Sequence, residues 1–401
     1  MKILVINCGS SSFKYQVLNM ETSTALCSGL VERIGDAVGN ITHKVIATDK
    51  KFTEERPFPN HTAGLEQVMS LLVDKEWGVI ADLHEIAAVG HRTVQGGEAL
   101  QESCLVTDEV KKLIIELAPL APLHNPSNLQ GIEVAQKLLP FAPSVAVFDT
   151  EFHATMPPKA YRYAIPQKYY DAFKVRRYGF HGTSHRFVAE EAAKLLNKPL
   201  DSFNCITCHL GNGCSISAVK NGKCVDTSMG LTPLAGVVMG TRCGDMDPAV
   251  LTYIGKAEGK SFDEVDAILN KQSGLKGICG SNDMRDIHAM TAKGDSNARL
   301  AVEMFCYSIK KYIGAYFAAL GRVDAVIFTA GIGENDNIAR AGICEGMGVF
   351  GIELDLAKND KRTPFARIIS KEDAKTPVLV VPTNEELAIA RATMDVVSRS
   401  K

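Results

Sequence analysis

Three kinds of residue in this chain could do chemistry together: small polar residues in glycine turns, arginines in glycine-rich connections, and acids at the ends of apolar runs. In Asn7-Cys8-Gly9-Ser10-Ser11-Ser12, a glycine allows a sharp turn, and small side chains leave N–H groups and hydroxyls open to an anion. His209-Leu210-Gly211-Asn212-Gly213 is a second turn of the same make. Phosphate is the ligand such turns suit. Arg92 lies in His91-Arg92-Thr93-Val94-Gln95-Gly96-Gly97, and Arg242 in Thr241-Arg242-Cys243-Gly244-Asp245. Asp149 follows the apolar run 145–148, and Gly331-Ile332-Gly333-Glu334-Asn335 follows 323–328, at strand ends where open α/β sheets gather ligands.

The elements that would position these groups can be read from hydrophobic spacing. Residues 3–6 form a continuous apolar run, and Phe13, Tyr15 and Val17 alternate with polar residues, which reads as strand, tight loop, strand. Residues 204–220 repeat that plan, with Gly211 laid over Gly9. Asn221-Gly222 then supplies a primed hairpin turn, and 223–227 returns as a third strand. Two such hairpins suggest an internal duplication, hence two related halves with a nucleotide cleft between them. Further strands are expected at 25–34, 41–47, 86–90 and 378–381. Helices are expected near 62–75, 108–117 and 126–139, up to about 196, over much of 248–320, and from residue 385. Pro157-Pro158 marks a plausible boundary.

Bulk properties narrow the function classes. The 401 residues are 46% hydrophobic and 22% charged, enough to bury two ordinary cores. A net charge of −2 offers no basic field for nucleic acid, and no apolar run approaches the roughly 20 residues of a membrane span. Without a signal segment, and with eleven cysteines scattered through apolar runs, a cytoplasmic protein with reduced thiols is expected. Three motif matches mislead. Gly331-Ile332-Gly333 lacks the third glycine of a dinucleotide fingerprint, although its setting after a strand and before a helix still suits a nucleotide contact. Cys205-Ile206-Thr207-Cys208-His209 fits a haem-attachment pattern but lies in an expected buried strand. Residues 255–261 miss the phosphate-loop spacing by one, and Ser261 with Glu264 reads better as a helix capping box.

Ten segments, in order, resemble the acetokinase family of short-chain carboxylate kinases. They are ILVINCGSSSFK from Ile3, GHRTVQGGE from Gly90, APLHNP from Ala121, VAVFDTEFH from Val145, RRYGFHGTSH from Arg176, CHLGNGCSIS from Cys208, VDTSMGLTPL from Val225, MGTRCGD from Met239, FTAGIGEN from Phe328 and VPTNEELAIA from Val381. The resemblance implies an α/β, duplicated two-domain actin-like ATPase and sugar kinase fold with the active site in the interdomain cleft. It implies a first domain 1–150 completed by a terminal helix 385–401, a nucleotide-binding domain 151–384, and a homodimer. The implied reaction is reversible, Mg2+-dependent transfer of the ATP γ-phosphoryl to acetate, with Mn2+ as an alternative ion.

Site residues carry over position by position. Arg92 and Arg242 resemble the arginines that hold the carboxylate and the transferring phosphoryl, His181 the histidine bonded to that group, and His124 a supporting one. Asp149 and Glu385 match acids placed around Mg2+, with Asn7 beside the phosphates, while Glu386 reads as a plain first-turn helix acid. Asp149 need not be a base, because a carboxylate acceptor is already ionised at pH 7. Ser10, Ser12, Lys14, His209, Gly211, Asn212 and Gly213 correspond to the ATP phosphate side, and Asp283, Met284, Arg285, Gly331, Ile332, Gly333 and Asn335 to the adenosine side. Val94, Leu123, Phe180 and Pro233 correspond to the pocket for the acetate methyl, where propionate kinases resemble the pattern with a smaller residue than Val94. A propionate kinase is the nearest alternative, and a non-catalytic actin-like nucleotide switch or filament is the alternative from another class. Cys214 and Cys243, beside the phosphate loop and Arg242, raise the expectation that thiol modification inactivates and that ATP protects.

Overall fold

The computed structural model describes residues 1–122 and 124–400; Leu123 lies outside the described residues. The chain forms two compact units, Met1–Glu151 with Asn384–Lys401, and Phe152–Thr383. Pro157 and Pro158 lie inside the second, where Pro158 opens the short helix Pro158–Tyr161.

The first unit is built on an eight-stranded sheet. Its strands are β1 (Lys2–Cys8), β2 (Ser12–Asn19), β3 (Thr24–Glu32), β4 (Gly39–Val45), β5 (Lys50–Arg56), β6 (Ile86–Thr93), β7 (Cys104–Leu105) and β8 (Ser144–Phe148). The spatial order is β5-β4-β3-β2-β1-β6-β8-β7. β1 to β5 run antiparallel by consecutive hairpins, whereas β1, β6 and β8 are parallel neighbours. The alternation that marks β2 puts Phe13, Tyr15 and Val17 into the core against Leu65 and Val68 of the helix His61–Leu72. β5, KKFTEER, was not expected. It is an edge strand exposed on most positions, held by pairing to β4 rather than by an apolar face.

The second unit repeats the plan with β9 (Cys205–Leu210), β10 (Cys214–Lys220), β11 (Lys223–Thr227), β12 (Ala325–Thr329), β13 (Arg367–Ile368) and β14 (Val378–Val380). Their order is β11-β10-β9-β12-β14-β13. β9 pairs antiparallel with β10 as β1 does with β2, and β9, β12 and β14 run parallel as β1, β6 and β8 do. Even the two-residue edge strands correspond, since β7 and β13 each pair antiparallel with the strand beside them. Such strands carry no periodicity and were not legible. This is the duplicated α/β arrangement of the actin-like ATPase and sugar kinase fold. Asn221 and Gly222, at φ 51° and 74°, make the primed turn between β10 and β11. Cys205 and Cys208 are wholly buried in β9, and the capping box of Ser261 and Glu264 opens the helix Phe262–Lys271. Among the described residues no helix is long and apolar enough to cross a membrane.

The C-terminal helix Glu385–Arg399 belongs to the first unit and packs on β1, β6 and β8. Gly90 of β6 makes that contact close: a Cβ there would stand 2.4 Å from Thr393 Oγ1 and 2.9 Å from Ile389 Cγ2. Overpacking of this kind costs about 1–3 kcal/mol. Gly90→Val is therefore expected to lower the melting midpoint and to speed amide exchange selectively in residues 385–399. Unchanged exchange in that helix would show that the contact does not hold it down.

Candidate active site

In the first unit the chemistry-bearing groups converge on Arg92. β6 and β8 are parallel neighbours with Arg92 opposite Val147, and the Asp149 amide donates to the Thr93 carbonyl at 2.9 Å. The carboxylate of Asp149, 2% exposed, is thereby brought level with the guanidinium. Arg92 Nε and Nη2 donate to Asp149 Oδ1 and Oδ2 at 2.9 and 2.7 Å, a bidentate pair of the strong, charge-assisted kind. Burial alone would lower the pKa of Arg92, but the charge and hydrogen bonds of Asp149, with Glu385 and Glu386 behind them, outweigh it and raise the pKa. Glu386 thus belongs to this acidic group and is more than a helix-capping charge. Both glutamates lie in the first turn of the C-terminal helix, whose cap Asn384 accepts from the Leu387 amide at 3.0 Å.

Two asparagines of the helix Asn125–Leu138 shape the neighbouring loops. Asn128 accepts from the Val94 amide at 3.0 Å and donates to the Cys8 carbonyl at 2.7 Å. Asn125 accepts from the Gln95 amide at 3.1 Å and donates back to the Gln95 carbonyl at 3.0 Å. His61 Nε2 donates to the Gly9 carbonyl at 2.8 Å. The carbonyls of Cys8 and Gly9 are thus both taken by donors, which removes negative charge from the turn an anion would approach. Gly9 itself has no positive φ among the described backbone, and its amide closes the turn on the Ser12 carbonyl at 2.8 Å. Ser10 is exposed at the tip, Ser12 and Asn7 are half-buried, and Lys14 stands exposed on β2 opposite Asn7. Val94 is buried and His124 half-buried at the start of the asparagine-bearing helix.

In the second unit the corresponding centre is Arg242. A Cβ on Gly213 would meet Arg242 Nη1 at 3.1 Å and the His181 ring at 3.5 Å, so this glycine lets guanidinium and imidazole close on the loop. Arg242 donates to the Pro233 carbonyl at 3.3 Å, and no carboxylate pairs with it among the described residues. Burial lowers its pKa. A half-buried guanidinium without a counter-charge is a standing demand for an anion. His181 caps the helix Gly182–Leu195 in the left-handed region, at φ 58°, and its ring stacks on His209 with centroids 4.1 Å apart. Phe180 is buried and Pro233 half-buried beside these groups in sequence.

A pocket in the same unit gathers Gly211, Asn212, Asp283, Met284, Arg285, Gly331, Ile332 and Asn335. Gly333 is buried just behind it, its carbonyl accepting from Arg340 Nη1 at 3.0 Å. The glycine segment is helical from the strand end, over Ala330–Asn335, and its first amide, that of Ala330, donates to Glu334 Oε1 at 2.9 Å. Arg285 grips Asp283 through two bonds of 3.0 and 2.5 Å. His288, whose Nε2 donates to Asp336 at 2.8 Å, and Arg362 line the pocket as well, and no pattern in the sequence pointed to either.

Comparison with known proteins decides the family. The model of the acetokinase family matches residues 2–391. The chain belongs to the acetokinase family. It is 59% identical over 399 residues, 99% of each chain, to the acetate kinase of Oleidesulfovibrio alaskensis. Among solved structures, acetate kinase of Porphyromonas gingivalis is 45% identical with a TM-score of 0.95, covering 99% of both chains. A propionate kinase from Francisella tularensis is 42% identical with a TM-score of 0.92, covering 98% of this chain and 99% of its own.

For this acetokinase family member the expectation of a reactive thiol beside the site needs correcting. Cys214 is wholly buried, donates to the Gly211 carbonyl at 3.1 Å, and is pushed by burial to a pKa of about 12. Burial also raises the half-buried Cys243, whose Sγ donates to the Gly244 carbonyl at 3.1 Å. Thiolate is the reactive form, so neither thiol is activated. Cys8, Cys27, Cys306 and Cys344 are likewise raised by burial to about 12 from 9.0. The folded state keeps these protons after the unfolded chain has released them, so the stability is intact below pH 9 and falls as pH rises from there toward 12. The expected result is a urea midpoint that is level from pH 7 to 8.5 and drops between pH 9 and 10.5, with Cys214 unlabelled by iodoacetamide at pH 8. A midpoint that stays level across pH 10, or rapid labelling of Cys214, would contradict the burial argument.

Proposed function

We propose that the chain catalyses reversible, Mg2+-dependent, in-line transfer of the γ-phosphoryl of ATP to acetate, giving acetyl phosphate and ADP. The observation that carries this reading is Arg242, a guanidinium with no carboxylate partner among the described residues, beside the glycine turn of β9 and β10, with the His181 ring at the same glycine. An acetate carboxylate oxygen forms the new bond to phosphorus as the bond to the β-phosphate oxygen breaks. The acceptor is ionised at neutral pH, so no base is required, and the residues act by holding charge in place. Arg92, oriented by Asp149, takes the carboxylate, while Arg242 and His181 take the transferring phosphoryl. Gly211, Asn212 and Gly213 serve the phosphates of ATP, with Asn7, Ser10, Ser12 and Lys14 as further contacts on that side. The pocket of Asp283, Met284, Arg285, Gly331, Ile332 and Asn335 takes the adenosine.

The donor set suits Mg2+. Both oxygens of Asp149 already accept from Arg92, and no cluster of three or more His, Cys, Asp or Glu side chains suited to a metal occurs among the described residues. A cage made wholly of protein is therefore out of reach, but Mg2+ ordinarily keeps several waters and takes one or two carboxylates with substrate phosphates. Asp149 through its remaining lone pairs and Glu385, with Asn7 nearby in role, would hold it. When bound, the ion neutralises phosphate charge. Asp149 has a second task in aiming Arg92, so Asp149→Asn is expected to lower kcat and to raise the Mg2+ concentration needed for half-maximal rate. An unaltered Mg2+ requirement with loss of one limb of the pH–rate profile would instead make Asp149 a proton carrier.

Valine at position 94 favours acetate. One methylene in such a pocket is worth about 1–3 kcal/mol, so propionate should be about 10- to 200-fold poorer in kcat/KM, and Val94→Ala should narrow the gap. The likeness to a propionate kinase makes that ratio the deciding measurement, taken with acetyl phosphate trapped by hydroxylamine. Arg92→Ala and Arg242→Ala should each cost about 10³-fold or more in kcat, by analogy with arginine fingers. Activity within tenfold in either variant, or no acyl phosphate from any short acid, would overturn the reading. A homodimer is supported by Tyr253, Phe262 and Tyr307, three exposed aromatics of the second unit, and a reducing, cytoplasmic setting by eleven free cysteines.

A further inference from the structure

Behind His181 runs a buried chain of hydrogen bonds that phosphoryl transfer does not by itself require. His181 Nδ1 lies 2.8 Å from Ser215 Oγ, the same Oγ lies 2.7 Å from His185 Nε2, and His185 Nδ1 lies 2.7 Å from Thr207 Oγ1. Ser215, His185 and Thr207 are all fully buried. The fold sets the spacing: His181 and His185 are one helical turn apart, Ser215 is on β10, and Thr207 on the adjacent β9.

Burial, reinforced by the neighbouring His153 and His209 rings, pushes the pKa of His185 well below its ordinary value, so this ring is neutral and carries one proton. A neutral ring between two hydroxyls donates at one nitrogen and accepts at the other. Each hydroxyl also has a single proton to give. With the Ser215 proton spent inside the chain, only two directions are consistent. In the first, Thr207 donates to His185 Nδ1, His185 Nε2 donates to Ser215, and Ser215 donates to His181 Nδ1, which leaves the proton of His181 on Nε2. In the second, every bond is reversed and the proton sits on His181 Nδ1.

The far side of the ring chooses between them. A Cβ on Gly213 would meet His181 Nε2 at 3.5 Å and Arg242 Nη1 at 3.1 Å, so Nε2 is on the edge turned to the glycine loop and the unpaired guanidinium. A lone pair there would repel an anion, whereas an N–H would bind it. We propose that Ser215, backed by His185 and Thr207, is a positioning residue that holds His181 as its Nε2–H tautomer, aimed at an anionic phosphoryl oxygen. The role rests on the phosphotransfer reading above and adds the device that keeps its histidine a donor.

The test is 15N NMR of histidine-labelled, full-length protein without nucleotide, combined with steady-state kinetics of Ser215→Ala, Ser215→Thr and Thr207→Val. In the wild type, His181 Nδ1 should show the shift of an unprotonated, hydrogen-bonded nitrogen and Nε2 that of a protonated one. Ser215→Ala should mix the tautomers and lower kcat about 10- to 100-fold, the usual loss when the group orienting a functional histidine is removed, with the KM for ATP little changed. Ser215→Thr, which keeps a hydroxyl, should recover most of the loss. Thr207→Val, which keeps the shape, should mix the tautomers less and lower kcat less. A wild-type proton on Nδ1 would overturn the proposal even if no variant folds, as would an unmoved tautomer or an unmoved kcat in both Ser215→Ala and Thr207→Val. Absence of acyl phosphate from the wild type would overturn the phosphotransfer reading while leaving the tautomer measurement to stand alone.

Discussion

The grip of Asp149 on Arg92 is the interaction on which the first unit is arranged. A bidentate pair of this geometry needs its two backbones held to a fraction of an ångström, and the parallel neighbours β6 and β8 supply that register. The same two strands must then be flat enough on one side to receive a helix, which explains a glycine at position 90. The helix in turn delivers Glu385 and Glu386 to the field of the guanidinium. A charge that could have been a surface ornament is thereby fixed in direction and surrounded by acids.

The second unit solves the opposite problem with the same strands. Where β6 carries an arginine already matched by a carboxylate, the connection after β11 holds Arg242 against the Pro233 carbonyl and the Met239 sulfur, with no carboxylate partner among the described residues. Duplication kept the hairpin and its anion-tolerant turn, while the side chains around each copy diverged, acids in one and histidines in the other. His181, His185 and His209 lie within ring contact or a shared hydroxyl of one another, and burial holds the pKa of His185 among them well below its ordinary value.

Much of this was legible from the residues because the hairpins obey local rules. The alternation of Phe13, Tyr15 and Val17, the Asn221-Gly222 turn and the capping box at Ser261 each specify structure within a few positions. Motif order did the rest, bringing Arg92, Asp149, His181 and Arg242 to notice. What escaped notice acts across long separations. Asn128 satisfies a carbonyl 120 residues away, and nothing near either residue announces it. β5 escaped for a different reason: its stability comes from pairing alone, so its composition is that of a loop. The thiol of Cys214 was misjudged because chain position reveals proximity to a site but not the depth of burial that keeps sulfur protonated.

The return of the C-terminal helix to the first unit also has a consequence for how the protein is made. The face of β1, β6 and β8 that this helix covers is complete in sequence by residue 148, yet its cover begins only at residue 385. All of the second unit, residues 152–383, is translated in between. At about 5–20 residues per second that interval lasts on the order of ten to fifty seconds. During it the nascent chain carries an apolar sheet face whose cover has not yet been made.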